Sequence, residues 1–387
     1  MQTGLILARN TEKVHLRNKK LRENYSQIDL EMTRRAIELA SFGVGQVSPN
    51  PLVGCVITAE NGEIVGEGTY IFDQIVHAEV IALTQAGERA KGGTAYVSLE
   101  PHNHKNRTPP CTEALINAGI NRVFCPVEDA NPLVAGSGFE RLRQNNIEVV
   151  TGILADEAKR QNEKFICWHQ KNRPFVHLKL AMSLDGRISL QSSVSTALSG
   201  KESAKRVQEF RHEHDAILVG GNTAFVDNPS LTDRSGKVRR RKLARVILDN
   251  RLQIPFESTL VQTANETPTI VFSNSGNKSK IAELRNANVD IIELDARNLA
   301  KVLDELRQRD LQSVLVEGGT EIAGAFVDAK LVDKVSLMIA PIIIGGNVAP
   351  NAIGGNGTTN LAEASKLENI EIIKHGEDFE VTGYPKI

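Results

Sequence analysis

The chain has 387 residues, with 46 Lys and Arg against 47 Asp and Glu and a formal net charge of −1, so nothing in its charge favours a nucleic-acid partner. No apolar run approaches the roughly 20 residues a membrane span needs, and single cores rarely exceed about 250–300 residues, so two domains are expected. Cys55, Cys111, Cys125 and Cys167 include no close pair, which is the usage of a reducing compartment and points to the cytoplasm.

Residues 1–27 are basic (Arg9, Lys13, Arg17, Lys19, Lys20, Arg22) and lack a hydrophobic signal core. They read as a disordered or helical extension, with an organelle presequence as the weaker alternative. Leu30, Met32, Ala36, Ile37, Leu39 and Ala40 against a charged remainder predict an amphipathic helix over 29–40. The loop Ser48-Pro49-Asn50-Pro51-Leu52-Val53-Gly54 leads into a strand at 55–58, which Asn61-Gly62 turns into a second at 63–66. A helix from His77, a strand at 94–99, a helix at 112–118, a strand at 122–126, a helix at 138–145 and a strand at 147–151 continue the alternation, as in a layered α/β domain. Cys55 and Cys125 read as buried strand residues, and Cys167 falls in a polar segment, 161–173, read as a linker.

A second α/β series follows, so the domains are set at 28–170 and 171–387. Pro174-Phe175-Val176-His177-Leu178-Lys179-Leu180-Ala181-Met182 predicts a buried strand, closed by the turn Ser183-Leu184-Asp185-Gly186. Further strands are expected at 216–220, 244–248, 269–272, 289–294, 313–317 and 335–344. The basic run 237–242 lies in a long loop and reads as solvated.

Two constellations carry chemistry. His77-Ala78-Glu79 opens a helix; after that helix and a strand come Glu100-Pro101-His102-Asn103-His104 and then Thr108-Pro109-Pro110-Cys111. Alone, His-x-Glu is as well explained by an acidic residue set against a helix dipole. Joined to the second cluster it has the order used by zinc-dependent nucleoside and base deaminases, where a metal polarises a water and a carboxylate carries its proton. In the second half no Gly-x-Gly-x-x-Gly follows the first strand, so a Rossmann site is not supported. Instead Val314-Leu315-Val316-Glu317-Gly318-Gly319-Thr320 runs strand, turn, helix, offering backbone N–H groups to an anion.

The two halves in this order resemble the bifunctional deaminase/reductase family of riboflavin biosynthesis. The likeness is carried by Asn50-Pro51-Leu52-Val53-Gly54, His77-Ala78-Glu79, Glu100-Pro101, Thr108-Pro109-Pro110-Cys111 and Asp129-Ala130-Asn131-Pro132. In the second half Lys179-Leu180-Ala181, Ser183-Leu184-Asp185-Gly186, Asp227-Asn228-Pro229-Ser230-Leu231-Thr232, Val316-Glu317-Gly318-Gly319 and Ile344-Gly345-Gly346 carry it. The resemblance implies a cytidine-deaminase-like three-layer α/β domain followed by a dihydrofolate-reductase-like α/β domain. It implies hydrolytic deamination of 2,5-diamino-6-ribosylamino-4(3H)-pyrimidinone 5′-phosphate, then NADPH-dependent reduction of the ribosyl group to a ribityl chain.

By the same resemblance one Zn2+ would be held by His77, His102 and Cys111, with Glu79 as proton shuttle and Asn50, His104 and Arg107 as substrate contacts. NADPH would lie near Ala181, Thr223, Asp227, Asn250 and the run Gly319, Thr320, Glu321, Ile322, Ala323, Gly324 and Ala325. Ser195, Arg211, Leu231, Arg234 and Glu317 would hold the phosphoribosyl substrate, with Lys179 and Asp185 close by, and a homo-oligomer would form through the reductase half. No nucleic-acid or membrane partner is implied. The chain departs from the family pattern at four places: His102 for a Cys, Tyr70 for a His, Gln74 near a usual Gly, and Ala197 for a Trp. The first three support a competing reading, a reductase carrying a non-catalytic deaminase domain, whereas Ala197 would remove a stacking wall from the cofactor site.

Overall fold

The computed structural model describes residues 25–104, 109–192, 194 and 196–386. The chain divides into two compact units, the first ending at Gln170 and the second starting at Lys171. In the first, five strands, β1 (Gly54–Thr58), β2 (Ile64–Thr69), β3 (Thr94–Val97), β4 (Arg122–Cys125) and β5 (Glu148–Thr151), form one sheet in the order β2-β1-β3-β4-β5. β1 runs antiparallel to both neighbours, and β3, β4 and β5 are parallel.

Side chains alternate across a strand, so each strand feeds two cores. Val56, Tyr96 and Phe124 pack with Ala36 and Leu39 of the amphipathic helix α1 (Gln27–Ser41). On the opposite face Cys55, Ile57, Ala95 and Val97 meet Ala78, Ala82 and Ala86 of helix α2 (Ala78–Ala86). A Cβ on Gly66 or Gly68 would sit 2.0 or 2.1 Å from the carbonyl oxygen of Ala82 or Ala78. Glycine on β2 is therefore what lets α2 lie flat on the sheet, and this seats the helix start that carries Glu79.

The second unit holds nine strands in the order β10-β9-β8-β7-β11-β6-β12-β14-β13. They are β6 (Phe175–Ser183), β7 (Ala216–Gly220), β8 (Ala244–Leu248), β9 (Thr269–Ser273), β10 (Asp290–Glu293), β11 (Ser313–Val316), β12 (Lys334–Ala340), β13 (Leu367–His375) and β14 (Asp378–Pro385). The seven strands from β10 to β12 are parallel, and β14 and β13 add an antiparallel hairpin at one edge.

Several expectations need correction. The segment read as a linker contains a helix, Glu163–Gln170, with Phe165, Cys167 and Trp168 buried; alternating charge hid a short apolar face. The basic run is solvated only in part: Lys237 and Lys242 are exposed, but two of its arginines are engaged. Arg239 donates to Asp233 and to the carbonyls of Arg211 and His214, while Arg241 reaches Asp215 and the carbonyl of Asp310. The strand expected over 335–344 stops at Ala340, before a proline that cannot donate to a ladder. The β13–β14 hairpin was not expected, because residues 368–374 are all exposed and show no alternation.

Candidate active sites

The first site is built where three elements start or end. His77 is the N-cap of α2 and Glu79 lies in its first turn. β3 runs into Glu100-Pro101-His102, and Cys111 opens helix α3 (Cys111–Asn117). One donor atom from each of His77, His102 and Cys111 lies within 4.8 Å of the others, and the two imidazole rings stand 4.4 Å apart. His104, two residues beyond His102, is outside that set; its Nδ1 is buried without a hydrogen-bond partner among the described residues.

Burial together with His77 and His104 pushes His102 down to about 4, so its imidazole is neutral and its lone pair free to ligate. Burial and the Glu79 carboxylate push the Cys111 thiol well up, so a cation entering here must displace a proton from sulfur. Two imidazoles and one sulfur suit zinc, and three protein donors are the usual number at a catalytic zinc. Glu79 is 2% exposed, and one carboxylate oxygen, Oε2, has no partner among the described residues. Burial raises its pKa, partly offset by His77. These groups open into a cavity of about 880 Å³, also lined by Asn50, Tyr70, Asp129, Asn131, Trp168 and His169.

Glu100 supports one wall of that cavity. Its carboxylate accepts from the backbone N–H groups of Asp129, Gly136, Gly138 and Phe139. Asp129, buried beside it, is pushed up to about 6, by desolvation first and then by the Glu100 charge.

In the second unit, β11 ends at Val316 and runs into Glu317 and Gly318-Gly319, and Gly319 is the N-cap of helix α12 (Thr320–Asp328). Gly319 N–H donates to Thr223 Oγ at 3.2 Å, tying the bend to helix α8 (Gly221–Asp227). A Cβ on Gly324 would fall 2.3 Å from the carbonyl carbon of Gly354, so α12 packs backbone against backbone. The first-turn N–H groups of α12 fit a dinucleotide phosphate; Glu321 beside them is exposed, and Ala323 is buried. Asn250 uses both ends of its amide, donating to Asp295 and accepting from Ala296 N–H. It therefore holds a loop. Asp227 is exposed at the end of α8, and Ala181 is half-buried on β6.

Lys179, Arg211 and Glu317 form a buried charged group. Arg211 donates through Nε and Nη2 to Glu317 at 2.8 and 3.0 Å, and through Nη1 to the carbonyl of Thr232. Lys179 is 8% exposed; burial and the Arg211 charge lower its pKa, against an opposing pull from Glu317. Leu231 is buried at φ 47°, and Arg234 is exposed, its backbone N–H on Gln208. Asp185 accepts from Ser183 Oγ and from the N–H groups of Ile344 and Gly345, which hold it near 2. Arg107 and Ser195 lie outside the described residues.

A profile described as the cytidine and deoxycytidylate deaminase zinc-binding region matches residues 26–127, and one described as the RibD C-terminal domain matches 174–381. "Riboflavin biosynthesis protein RibD" of Actinobacillus pleuropneumoniae is 41% identical over 356 residues, covering 90% of this chain and 93% of that protein. The chain belongs to the RibD family. The RibD of Escherichia coli is 36% identical, covering 89% of this chain and 96% of that protein. RibD of Acinetobacter baumannii matches in structure with a TM-score of 0.83 at 33% identity, covering 93% of this chain and 99% of that one. A Thermotoga maritima protein, described as a diaminohydroxyphosphoribosylaminopyrimidine deaminase/5-amino-6-(5-phosphoribosylamino)uracil reductase, matches with a TM-score of 0.81 at 33% identity, covering 93% and 99%. The expected order, a deaminase-like domain followed by a RibD reductase domain, is that of this family.

Sequence reasoning missed three participants. The cavity wall from Trp168 and His169 was hidden in the presumed linker, although Phe165 and Trp168 are spaced as on one helix face. Glu100 was read only as part of a motif. Tyr70 was read only as a departure from the family pattern.

Proposed function

We propose that this RibD-family chain deaminates 2,5-diamino-6-ribosylamino-4(3H)-pyrimidinone 5′-phosphate in its first unit and reduces the ribosyl group of the product to ribityl in its second. The observation that carries the first half is Glu79, with a buried, unpartnered carboxylate oxygen beside the His77/His102/Cys111 set. Zinc held by these three residues would supply an acidified, polarised water. Glu79 takes a proton from the attacking water and passes it to the departing nitrogen; a C–O bond forms, the C–N bond breaks and ammonia leaves. Burial, which raises its pKa, favours its holding that proton between acceptance and return. Asn50, His104 and Arg107 orient the pyrimidine.

NADPH supplies a hydride when bound. The Gly318-Gly319 bend and the start of α12 would hold its phosphates, and Thr223 fixes the bend. Reduction of the ribosyl group takes a hydride and one proton. Lys179, made easier to deprotonate by burial and by the Arg211 charge against the opposing pull of Glu317, is the group able to deliver that proton. Arg234, exposed beside this group, is the cation offered to the substrate phosphate.

Incubation with the diaminopyrimidine ribotide tests both halves. Ammonia without NADPH, then NADPH oxidation on its addition, is expected. The competing reading, a reductase with a silent deaminase domain, requires NADPH oxidation on supplied product and no ammonia. Assembly through the second unit is supported by the edge strand β13, whose Ile370, Ile372 and Ile373 are exposed, since unpaired apolar edges favour pairing; light scattering measures it. A cytoplasmic location fits four free thiols.

A further inference from the structure

Tyr70 closes β2 from inside the first unit. It is 6% exposed, its N–H donates to Val53 O at 2.9 Å, and its hydroxyl accepts from Asn50 Nδ2 at 2.6 Å. Asn50 precedes β1, and the pairing of Gly54 with Thr69 brings the two residues to one rim of the sheet. Both line the cavity that contains Glu79 and His102. The Tyr70 ring also stands 5.2 Å from the His77 ring, tilted by 35°.

A carboxamide in a pocket can offer a ligand either an N–H or an oxygen. Here Nδ2 donates to the buried phenol oxygen, which leaves the amide oxygen as the end for the ligand. An aminopyrimidine presents N–H donors, which an amide oxygen complements and an amide N–H does not. We propose that Tyr70 is a positioning residue of the deaminase site: its hydroxyl holds Asn50 with the amide oxygen turned to an N–H of the pyrimidine. The inference rests on the deaminase reading and on Asn50 as a substrate contact. Hydroxyl and ring act separately, the first on Asn50 and the second as a packing surface for His77.

Tyr70→Phe keeps the ring and deletes the hydroxyl. The KM for ammonia release from the diaminopyrimidine ribotide is expected to rise roughly tenfold, the scale of one lost hydrogen bond, with kcat within about twofold. Zinc per chain by elemental analysis and NADPH oxidation on supplied product stay at wild-type levels, which also reports an intact fold. In an Asn50→Ala background the same change adds nothing to KM, because the partner is gone. An unchanged KM in Tyr70→Phe, or a full additional rise in the Asn50→Ala background, overturns the inference while wild-type ammonia release keeps the deaminase reading. Wild-type protein loaded with zinc that releases no ammonia overturns both.

Discussion

Glu100 allows a prediction with a computable size. Its Oε2 accepts from Asp129 and Gly136 N–H at 3.0 and 2.9 Å, and its Oε1 from Gly138 and Phe139 at 2.9 and 3.4 Å. In Glu100→Gln one oxygen becomes an amide NH2, so two buried N–H donors face another donor. Each unsatisfied buried group costs about 1–3 kcal/mol, for a loss of about 2–6 kcal/mol concentrated in residues 129–139. Hydrogen exchange of that segment, compared between variant and wild type, reads the cost directly as the free energy of local opening. The wall that carries Asp129, Asn131 and Val134 should loosen, so ammonia release falls while NADPH oxidation on supplied product is unchanged. A protection loss below about 1 kcal/mol in 129–139 would refute the assignment of Glu100 as the anchor of this wall.

Three further outcomes are expected. Glu79→Gln keeps one bound zinc and lowers ammonia release by about 10²–10⁴-fold, the usual range for a lost general acid–base; activity within tenfold of wild type would remove Glu79 from the reaction. His102→Ala loses zinc by elemental analysis while His104→Ala retains it, and the reverse result would exchange their roles. Asp129, pushed up to about 6 from 3.8 by burial, holds its proton more tightly folded than unfolded. Its contribution to stability is therefore full below the unfolded value and disappears as pH rises through about 6, a change of up to about 3 kcal/mol. Asp129→Asn should accordingly gain stability over wild type between pH 4 and 7, and a pH-independent difference in chemical denaturation would contradict this.

The sequence made the metal-binding set legible because each member sits at an element boundary with a local signal: His77 before a helix, His102 after Glu100-Pro101, Cys111 behind Pro109-Pro110. The parallel strands of the second unit were legible for a similar reason, as continuous apolar runs buried on both faces. What stayed hidden depended on partners distant along the chain. Nothing local to Tyr70 signals its bond to Asn50, which exists only because β1 and β2 pair in one register. Arg239 and Arg241 looked solvated because their acceptors, Asp233, Asp215 and several carbonyls, are assembled by the fold. The hairpin β13–β14 is held by main-chain pairing; β13 is exposed along most of its length and β14 turns Asp378, Glu380 and Thr382 inward, so the usual apolar buried face is missing.

Trp168 is the single tryptophan of the chain and lines the cavity that contains Glu79. Fluorescence excited at the indole band therefore comes from one compartment of a two-compartment enzyme. Titrations of metal or ribotide followed by that emission would report the hydrolytic chamber selectively, without labels and without severing it from the redox half.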